Sequence, residues 1–279
     1  MEILGMNKYS VVFTDLDGTI LKKDKTISSR TMQAIKNIRG RGVLWVVATA
    51  RPEVAVNMYE ELKYTDALIT LNGARIRLKD KIISNGFSAD EARKLLELLV
   101  AKDNLVLTVE TSGGIFGNIE IPEWETPKVE DLTSLVDKFD IYKILVAGRD
   151  HELPTIKEDR ESFCSLEELD KTVTGSIASA GFTDSLYYSV AEGWLYQIMS
   201  RNATKWKGVE LVLKTEGISA ERAVYFGDDN DDFDSIRNSG LGVAMGNAID
   251  KVKDAADIIA PSNEDDGVAK VLEDVICSE

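Results

Sequence analysis

Two aspartates two residues apart, Asp15 and Asp17, close the run VVFTDLDGT at residues 11–19. Val11, Val12 and Phe13 are apolar and largely β-branched, the pattern of a buried strand in a parallel sheet. In extended chain, residues two apart project to the same side, so both carboxylates face one place. Gly18 allows a sharp turn and Thr19 adds a hydroxyl. Like charges this close are unfavourable unless a cation or a proton is shared. A lone Asp-x-Asp is usually a solvated loop, but three further stretches raise this pair above that reading: Thr49-Ala50-Arg51, Thr204-Lys205, and Gly227-Asp228-Asp229-Asn230-Asp231-Asp232.

Together the four supply the groups that phosphoryl transfer requires. Asp15 can act as an oxygen nucleophile and form an aspartyl phosphate. Asp17 can protonate a leaving alkoxide and later activate water. Charge on the transferring group calls for Mg²⁺ and a fixed cation. Asp15 and Asp228 offer hard oxygens to the metal, Lys205 offers the cation, and Thr49 with the turn amides can hydrogen-bond phosphate oxygens. Taken singly, Thr49 reads as a turn residue, Lys205 and Arg51 as solvated, and Asn72-Gly73 as a plain turn. Lys207, although it precedes Gly208, reads as a surface lysine. Counting from Lys205, Val209, Val212 and Leu213 fall on one helical face, which Lys214 would interrupt if the count began at Lys207.

The elements that position these groups alternate. Strands are expected at 11–13, at Val43–Ala48 and at Ala67–Thr70. Between them lie a helix capped by Ser28, with Met32, Ile35 and Ile38 on one face and Gly42 at its end, and a second helix after Pro52 carrying Ala55, Met58 and Leu62. This is the rhythm of a parallel sheet with crossover helices. The pattern then changes to a hairpin around Lys79-Asp80-Lys81, a helix with the capping box Ser88/Glu91, strand-like runs at 105–109, 115–121, 141–147, 172–179 and 186–190, and a short helix near 132–136. From Trp194 the α/β rhythm returns with a strand at 195–199 and the helix of Lys205. A strand at 223–226 then leads into the acidic loop, followed by strands at 242–245 and 258–259 and a C-terminal helix with Val268, Val271, Leu272 and Val275. The expected organisation is a core of residues 1–83 and 194–279 with an inserted α+β domain at 84–193.

Asp15-Leu16-Asp17-Gly18-Thr19, Thr49, Lys205 and Gly227-Asp228-x-x-x-Asp232 resemble, in order, the four motifs of the haloacid dehalogenase (HAD) superfamily of phosphohydrolases. The position of the insert, Asn72-Gly73-Ala74, residues 244–248 and Asn263-x-x-Asp266-Gly267-Val268 look like the Cof-type subgroup with an α+β cap. The resemblance implies a Rossmann-like α/β core with a substrate-selecting lid, and Asp15 as nucleophile with Asp17 as general acid/base. It implies Thr49, Ala50, Arg51, Asn72 and Lys205 toward phosphate and substrate, and Mg²⁺ on Asp15, Asp228, Asp232 and the Asp17 carbonyl. Three departures stand out. Ala50 replaces a usual Gly, Trp206 follows the lysine where Gly is common, and Asp231 replaces an Asn, adding negative charge near the metal. The implied activity is hydrolysis of a small phosphorylated metabolite such as a sugar phosphate. A phosphomutase on the same fold and a phospho-accepting receiver domain are the alternatives.

The rest of the chain narrows the classes. Apolar content of 44% and charged content of 29% over 279 residues describe a globular protein with room for two cores. A net charge of −15 repels nucleic acid and anionic membranes. Cys164 and Cys277 have no metal-ligand spacing, and the single histidine, His151, lies in a polar stretch without recognisable partners. The opening MEILGMNKYS lacks a signal-peptide pattern, and the longest apolar run, 44–50, is too short to span a bilayer. A cytoplasmic location is expected, with no nucleic-acid or membrane partner.

Overall fold

The structure, a computed structural model, describes residues 8–148, 165–191 and 193–276. His151, Cys164, Cys277 and residues 1–7 lie outside the described residues. The chain divides into two compact units, Met1–Ile83 with Thr204–Glu279, and Ser84–Ala203. The first opens with β1 (Val11–Thr14), α1 (Ser29–Gly40), β2 (Leu44–Ala48), a short α2 (Glu53–Val56), β3 (Ala67–Thr70) and a hairpin of β4 (Arg75–Leu78) and β5 (Lys81–Ser84). The second contains α3 (Ala89–Val100), β6 (Leu105–Thr111), β7 (Gly114–Gly117), β8 (Ile141–Gly148), α4 (Leu166–Ala180), β9 (Leu186–Ala191) and β10 (Leu195–Ser200). The chain returns to the first with α5 (Lys205–Glu216), β11 (Ala223–Gly227), α6 (Phe233–Asn238), β12 (Leu241–Ala244), α7 (Asp250–Ala255), β13 (Ile258–Ile259) and α8 (Gly267–Val271).

The first unit is the α/β fold expected from the sequence. Its sheet has the order β13-β12-β11-β1-β2-β3-β4-β5, and β1 pairs in parallel with both β2 and β11. Alternation along buried strands sends successive side chains to opposite layers. Val12, Trp45, Val47, Leu68 and Phe226 pack with Met32, Ile35 and Ile38 of α1 and with Val268 and Val271 of α8. Val11, Phe13, Val46, Ile69 and Tyr225 pack with Val209, Val212 and Leu213 of α5, Ile236 of α6 and Val252 of α7. Because β1, β2, β3 and β11 run parallel, their carboxyl ends share one edge. The chain builds the β2 side first and reaches β11 on the other side later, so a topological switch point falls beside β1, where open α/β sheets hold their ligands.

The second unit is an antiparallel five-stranded sheet of order β7-β6-β8-β10-β9. Leu105, Leu107, Val109, Ile144, Val146 and Ile198 on one face pack under Leu95, Leu96 and Leu99 of α3 and Leu169, Val173 and Ile177 of α4. Among the described residues no helix is long and apolar enough to cross a membrane.

The structure corrects four local expectations. Residues 172–179 are helical, although Thr172, Val173, Thr174 and Ile177 are β-branched. Ser165 and Glu168 form a capping box, Leu169, Val173 and Ile177 share one buried face, and Gly181 closes the helix, so packing overrides propensity. The strand at 195–200 pairs antiparallel with β8 and β9, so the second unit continues to Ala203 instead of ending at 193. The helix expected after Pro52 breaks at Asn57 into α2 and a 3₁₀ turn at Glu60–Tyr64. Val56 and Leu62 are buried while Met58 is exposed, because the break returns Tyr59 to the Arg51 side chain. The strand expected at 115–121 is only β7, since residues beyond Gly117 leave the ladder for the loop that pairs Ile121 with Thr126.

One backbone contact couples β3 to α5. Leu71, Asn72 and Gly73 all have positive φ, and a Cβ on Gly73 would run into the carbonyl oxygen of Thr204, the N-cap of α5. Gly73→Ala is expected to destabilise the fold by about 2–4 kcal/mol, adding left-handed strain to a collision with backbone. Gly40→Ala, whose Cβ meets open space, should be close to neutral. Urea unfolding of both variants checks this, and equal midpoints would show that the 71–73 turn adjusts freely.

Candidate active site

The four strand ends bring their polar groups together by simple turns. Asp15 follows β1 and is buried, with its backbone N–H donating to the Phe226 carbonyl at 2.9 Å. Gly18 turns the chain at φ +73, and a Cβ there would occupy the position of the Asp228 carboxylate. Thr19 Oγ1 donates to Asp228 Oδ1 at 2.8 Å. Thr204 Oγ1 accepts from the Lys207 N–H, which caps α5 and sets Lys205 in its first turn. Lys205 Nζ then donates to Asp15 Oδ1 and to Asp232 Oδ1, each at 2.7 Å, with all three groups buried. Lys207, by contrast, is half exposed and pairs with Glu210 at 2.9 Å.

Asp232 is the most heavily bonded acid of the group. Its Oδ1 accepts from Lys205 and from Tyr225 Oη at 2.7 Å, and its Oδ2 accepts the backbone N–H groups of Asp228 (3.0 Å) and Asp229 (3.2 Å). Asp15, Asp228 and Asp232 each offer a carboxylate oxygen within 4.8 Å of the others, a donor set suited to a hard divalent cation. Three carboxylates share one ammonium here, so the cluster carries excess negative charge. Burial pushes the Asp15 carboxyl well above its ordinary range, Lys205 pulls it down and Asp232 raises it further. Burial, with the Asp232 charge adding to it against a hydrogen bond from Thr19, raises Asp228 to about 6. Burial pulls the Lys205 ammonium down, but the charges of Asp15 and Asp232 outweigh it, and Lys205 stays cationic.

Asp17 points elsewhere. Arg51 grips it with two bonds, Nε to Oδ2 at 2.5 Å and Nη2 to Oδ1 at 2.6 Å, and Lys25 Nζ adds a third at 2.8 Å. Burial raises the Asp17 carboxyl, but these two cations outweigh burial and hold it below its ordinary value. The Asp17 side chain is therefore not one of the clustered carboxylates. Thr49 is buried, and its Oγ1 accepts the Arg51 N–H at 3.2 Å, which shapes the turn through Ala50.

Asn72 Nδ2 donates to Asp231 Oδ2 at 2.9 Å, tying the turn after β3 to the acidic loop after β11. The extra acid at position 231 is thus turned toward an amide donor and is not part of the cluster. Trp206 is partly buried against the layer formed by α5 and the sheet, where the bulk of its ring is accommodated.

Three contributors were not singled out as site residues by sequence. Tyr225 is the hydroxyl donor to Asp232; its signal is a tyrosine at an inward position of the strand before the acidic loop, where a buried hydroxyl needs a partner. Lys25 is the second cation on Asp17, and nothing in its exposed turn marks it in the sequence. Asn247 Nδ2 donates to the Gly18 carbonyl at 2.8 Å and fixes the turn after Asp17.

Residues 12–272 match the family model described as haloacid dehalogenase-like hydrolase. The chain is 25% identical over 278 residues to the Bacillus subtilis 5-amino-6-(5-phospho-D-ribitylamino)uracil phosphatase YitU, covering 95% of this chain and 96% of that protein. It is 28% identical over 263 residues to a second B. subtilis protein of the same named activity, YcsE, covering 94% of each. Among solved structures, a Thermotoga maritima protein superposes with a TM-score of 0.79 at 27% identity, covering 96% of this chain and 97% of that one.

Asp232 gathers four donors, so its removal orphans a phenol and two amides and leaves the buried Lys205 ammonium with Asp15 alone. Asp232→Ala is expected to destabilise the protein by about 3–5 kcal/mol, the usual penalty for breaking one side of a buried ion pair. Tyr225→Phe removes a single bond to the carboxylate and should lose about 1.5–3 kcal/mol. Guanidinium unfolding of the two variants measures the difference, and an Asp232→Ala effect smaller than that of Tyr225→Phe would contradict this order.

Proposed function

Because the chain belongs to the haloacid dehalogenase-like hydrolases, whose named relatives include phosphatases, we propose that it is a Mg²⁺-dependent phosphatase of small phosphorylated metabolites that works through an aspartyl phosphate on Asp15. The observation that carries this reading is the Lys205 ammonium held at 2.7 Å from both Asp15 and Asp232, beside Asp228. A nucleophilic carboxylate, a fixed cation and an excess of hard oxygen donors at one sheet edge are what displacement at phosphorus requires.

In this reading an Asp15 oxygen attacks phosphorus in line and the P–O bond to the leaving group breaks. Asp17, protonated once Arg51 has been displaced from it, gives that proton to the departing oxygen, then takes one from the water that hydrolyses the acyl phosphate. Both Asp17 oxygens are engaged by Arg51, so the substrate must take the place of the guanidinium, which then becomes available to phosphate oxygens. Thr49, the Ala50 amide and Asn72 complete the phosphate side, and Lys205 offsets charge throughout. Asp15, Asp228, the Asp17 carbonyl and the third clustered acid, Asp232, would hold the divalent cation, which neutralises charge on the transferring group. The inserted unit acts as a lid that selects the leaving group, and the reaction belongs in the cytoplasm. The activity of YitU and YcsE on a phosphorylated ribityl compound accords with a hydroxyl-rich substrate.

Asp15→Asn is expected to abolish release of inorganic phosphate from every phosphomonoester while the protein still folds. Asp17→Asn should slow turnover by roughly 10²–10⁴-fold. Near-wild-type phosphate release by Asp15→Asn would overturn the mechanism.

The metal has a readout independent of turnover. The raised Asp228 carboxyl favours the protonated fold, so its stabilising contribution is complete below about pH 4 and lost as pH rises toward 6. A bound cation should offset that loss. Millimolar Mg²⁺ should raise the Tm at pH 7, by about 2.7 kcal/mol of stability at a hundredfold excess over Kd, and the gain should shrink at pH 5, where protons compete. A Tm unmoved by Mg²⁺ at pH 7 would remove the metal from this account.

A further inference from the structure

The helix that opens after Pro52 stops within four residues, and its local sequence does not stop it. Residues 53–64 contain neither glycine nor proline, and Ala55, Met58 and Leu62 stand at the spacing of one helical face. The chain instead breaks at Asn57, buries Val56 and Leu62, and leaves Met58 78% exposed. Apolar surface left in water is unfavourable. What the break gains is the placement of Tyr59. Its backbone is extended, and its N–H donates to the Val56 carbonyl at 3.1 Å. The Tyr59 ring packs against the core layer between the sheet and α1, and its hydroxyl reaches Arg51.

Arg51 is held at every nitrogen of its guanidinium. Nε and Nη2 take the two Asp17 oxygens, and Nη1, the nitrogen that Asp17 leaves, donates to Tyr59 Oη at 3.3 Å. The guanidinium carbon lies 5.8 Å from the Tyr59 ring centroid, within range of a cation–π attraction. The backbone of the same residue is fixed on both sides, its N–H by Thr49 Oγ1 at 3.2 Å and its carbonyl by the Leu71 N–H at 3.1 Å. The two side-chain partners differ in kind. Asp17 offers a charge that a phosphate can replace, whereas Tyr59 offers a neutral ring and hydroxyl with which an incoming anion does not compete.

We infer that Tyr59 is a positioning residue for the phosphate group: it keeps the Arg51 guanidinium in place through Nη1 and the ring face while the Nε–Nη2 edge passes from Asp17 to phosphate oxygens. The inference rests on the phosphatase reading above and adds to it a residue outside the four strand-end stretches. An arginine released from Asp17 with no other anchor regains rotamer freedom, and ordering it again on the ligand weakens binding. With Nη1 anchored, the fork stays aimed. The two parallel donors that grip a carboxylate also match two oxygens of a phosphate, so one geometry serves both partners. The short α2 and the exposed Met58 follow from the same requirement, since Tyr59 must return to the residue eight positions before it.

The test measures phosphate release from p-nitrophenyl phosphate and from a hexose phosphate with Mg²⁺, and inhibition of that release by inorganic phosphate. It uses full-length wild type, Tyr59→Leu, Tyr59→Phe, Arg51→Met and the two double variants. A contact made equally in bound substrate and transition state acts on KM. Tyr59→Leu should therefore raise KM and the inhibition constant of phosphate together, by roughly 10-fold, with kcat changed less than about twofold. Tyr59→Phe keeps the ring on the core and beside the guanidinium, so both constants should rise less and the Tm should hold. In the Arg51→Met background either Tyr59 substitution should have no further effect, because Tyr59 acts through the guanidinium. The comparison made with Tyr59→Phe decides the matter should Tyr59→Leu not fold. The same loss in both backgrounds, or a fall in kcat with KM unchanged, would make Tyr59 a packing residue and overturn the inference, as would unchanged constants in the Tyr59 variants. Wild-type constants in Arg51→Met also overturn it while leaving the phosphatase reading intact. Wild type that hydrolyses neither ester removes that reading and this inference with it.

Discussion

The buried ammonium of Lys205 is the interaction on which the rest of this site depends. Asp15, Asp228 and Asp232 converge within 4.8 Å, and without a cation their mutual repulsion and desolvation would hold protons or push the loops apart. Lys205 bonds two of them at 2.7 Å, and its own burial is tolerable only because of those two charges. One positive charge among three acids is deliberately incomplete compensation. It leaves the cluster attractive to a further cation and keeps Asp228 reluctant to ionise alone. The excess negative charge that keeps Asp228 protonated is the same charge that would favour a bound cation.

Asp17 illustrates the opposite strategy. Two residues from Asp15, it is drawn out of the cluster by a bidentate guanidinium and a lysine. That separation lowers the like-charge cost at the end of β1, since the second carboxylate of the pair is neutralised by its own partners. It also makes Arg51 a competitor for any group that approaches Asp17. The pairing is half exposed, so water and incoming ligands can exchange with it, whereas the Lys205 bonds are sealed from solvent. The rigid pair and the exchangeable pair thus sit on neighbouring residues of one turn.

The loops that hold these groups are braced from several directions. Asn72 and Asp231 link the turn after β3 to that after β11, Asn247 holds the Gly18 carbonyl, and Gly73 lets the β3 turn press against the cap of α5. Left-handed backbone at Leu71 and Asn72 is costly for residues with a Cβ and persists because this surrounding network fixes it. Stability is spent here on geometry: the strand ends can be crowded because the layers beneath them, Trp45, Tyr225, Phe13 and Phe226 among them, are fully buried.

Much of this was legible along the chain. The alternation of buried strands and amphipathic helices declared an α/β sheet, because period-2 and period-3.6 burial leave different marks on sequence. The caps at Ser28, Ser88 and Thr204 could be read because an N-cap needs a side-chain acceptor at one defined position. Asp15, Lys205 and Asp228 stood out because each sits where a strand ends or a helix begins, and parallel strands bring such positions to one edge, whereas Asp232 was marked only by the family resemblance. Other features belonged to tertiary structure alone. Whether Thr172 to Ser179 formed a strand or a helix turned on the layer its apolar residues could bury against, and local propensity pointed the wrong way. The strand at 195–200 joined the second sheet by pairing with the preceding β9 and with β8, some 50 residues back in the chain. That Asp17 faces Arg51 and Lys25 while Asp15 faces Lys205 is a matter of side-chain direction after a turn, which spacing cannot specify. The pairing of Glu110 with Lys143 was likewise invisible, since two residues 33 positions apart become neighbours only through strand register. Sequence determines which groups are available and the period on which they recur; the long-range pairing of strands decides which charges meet.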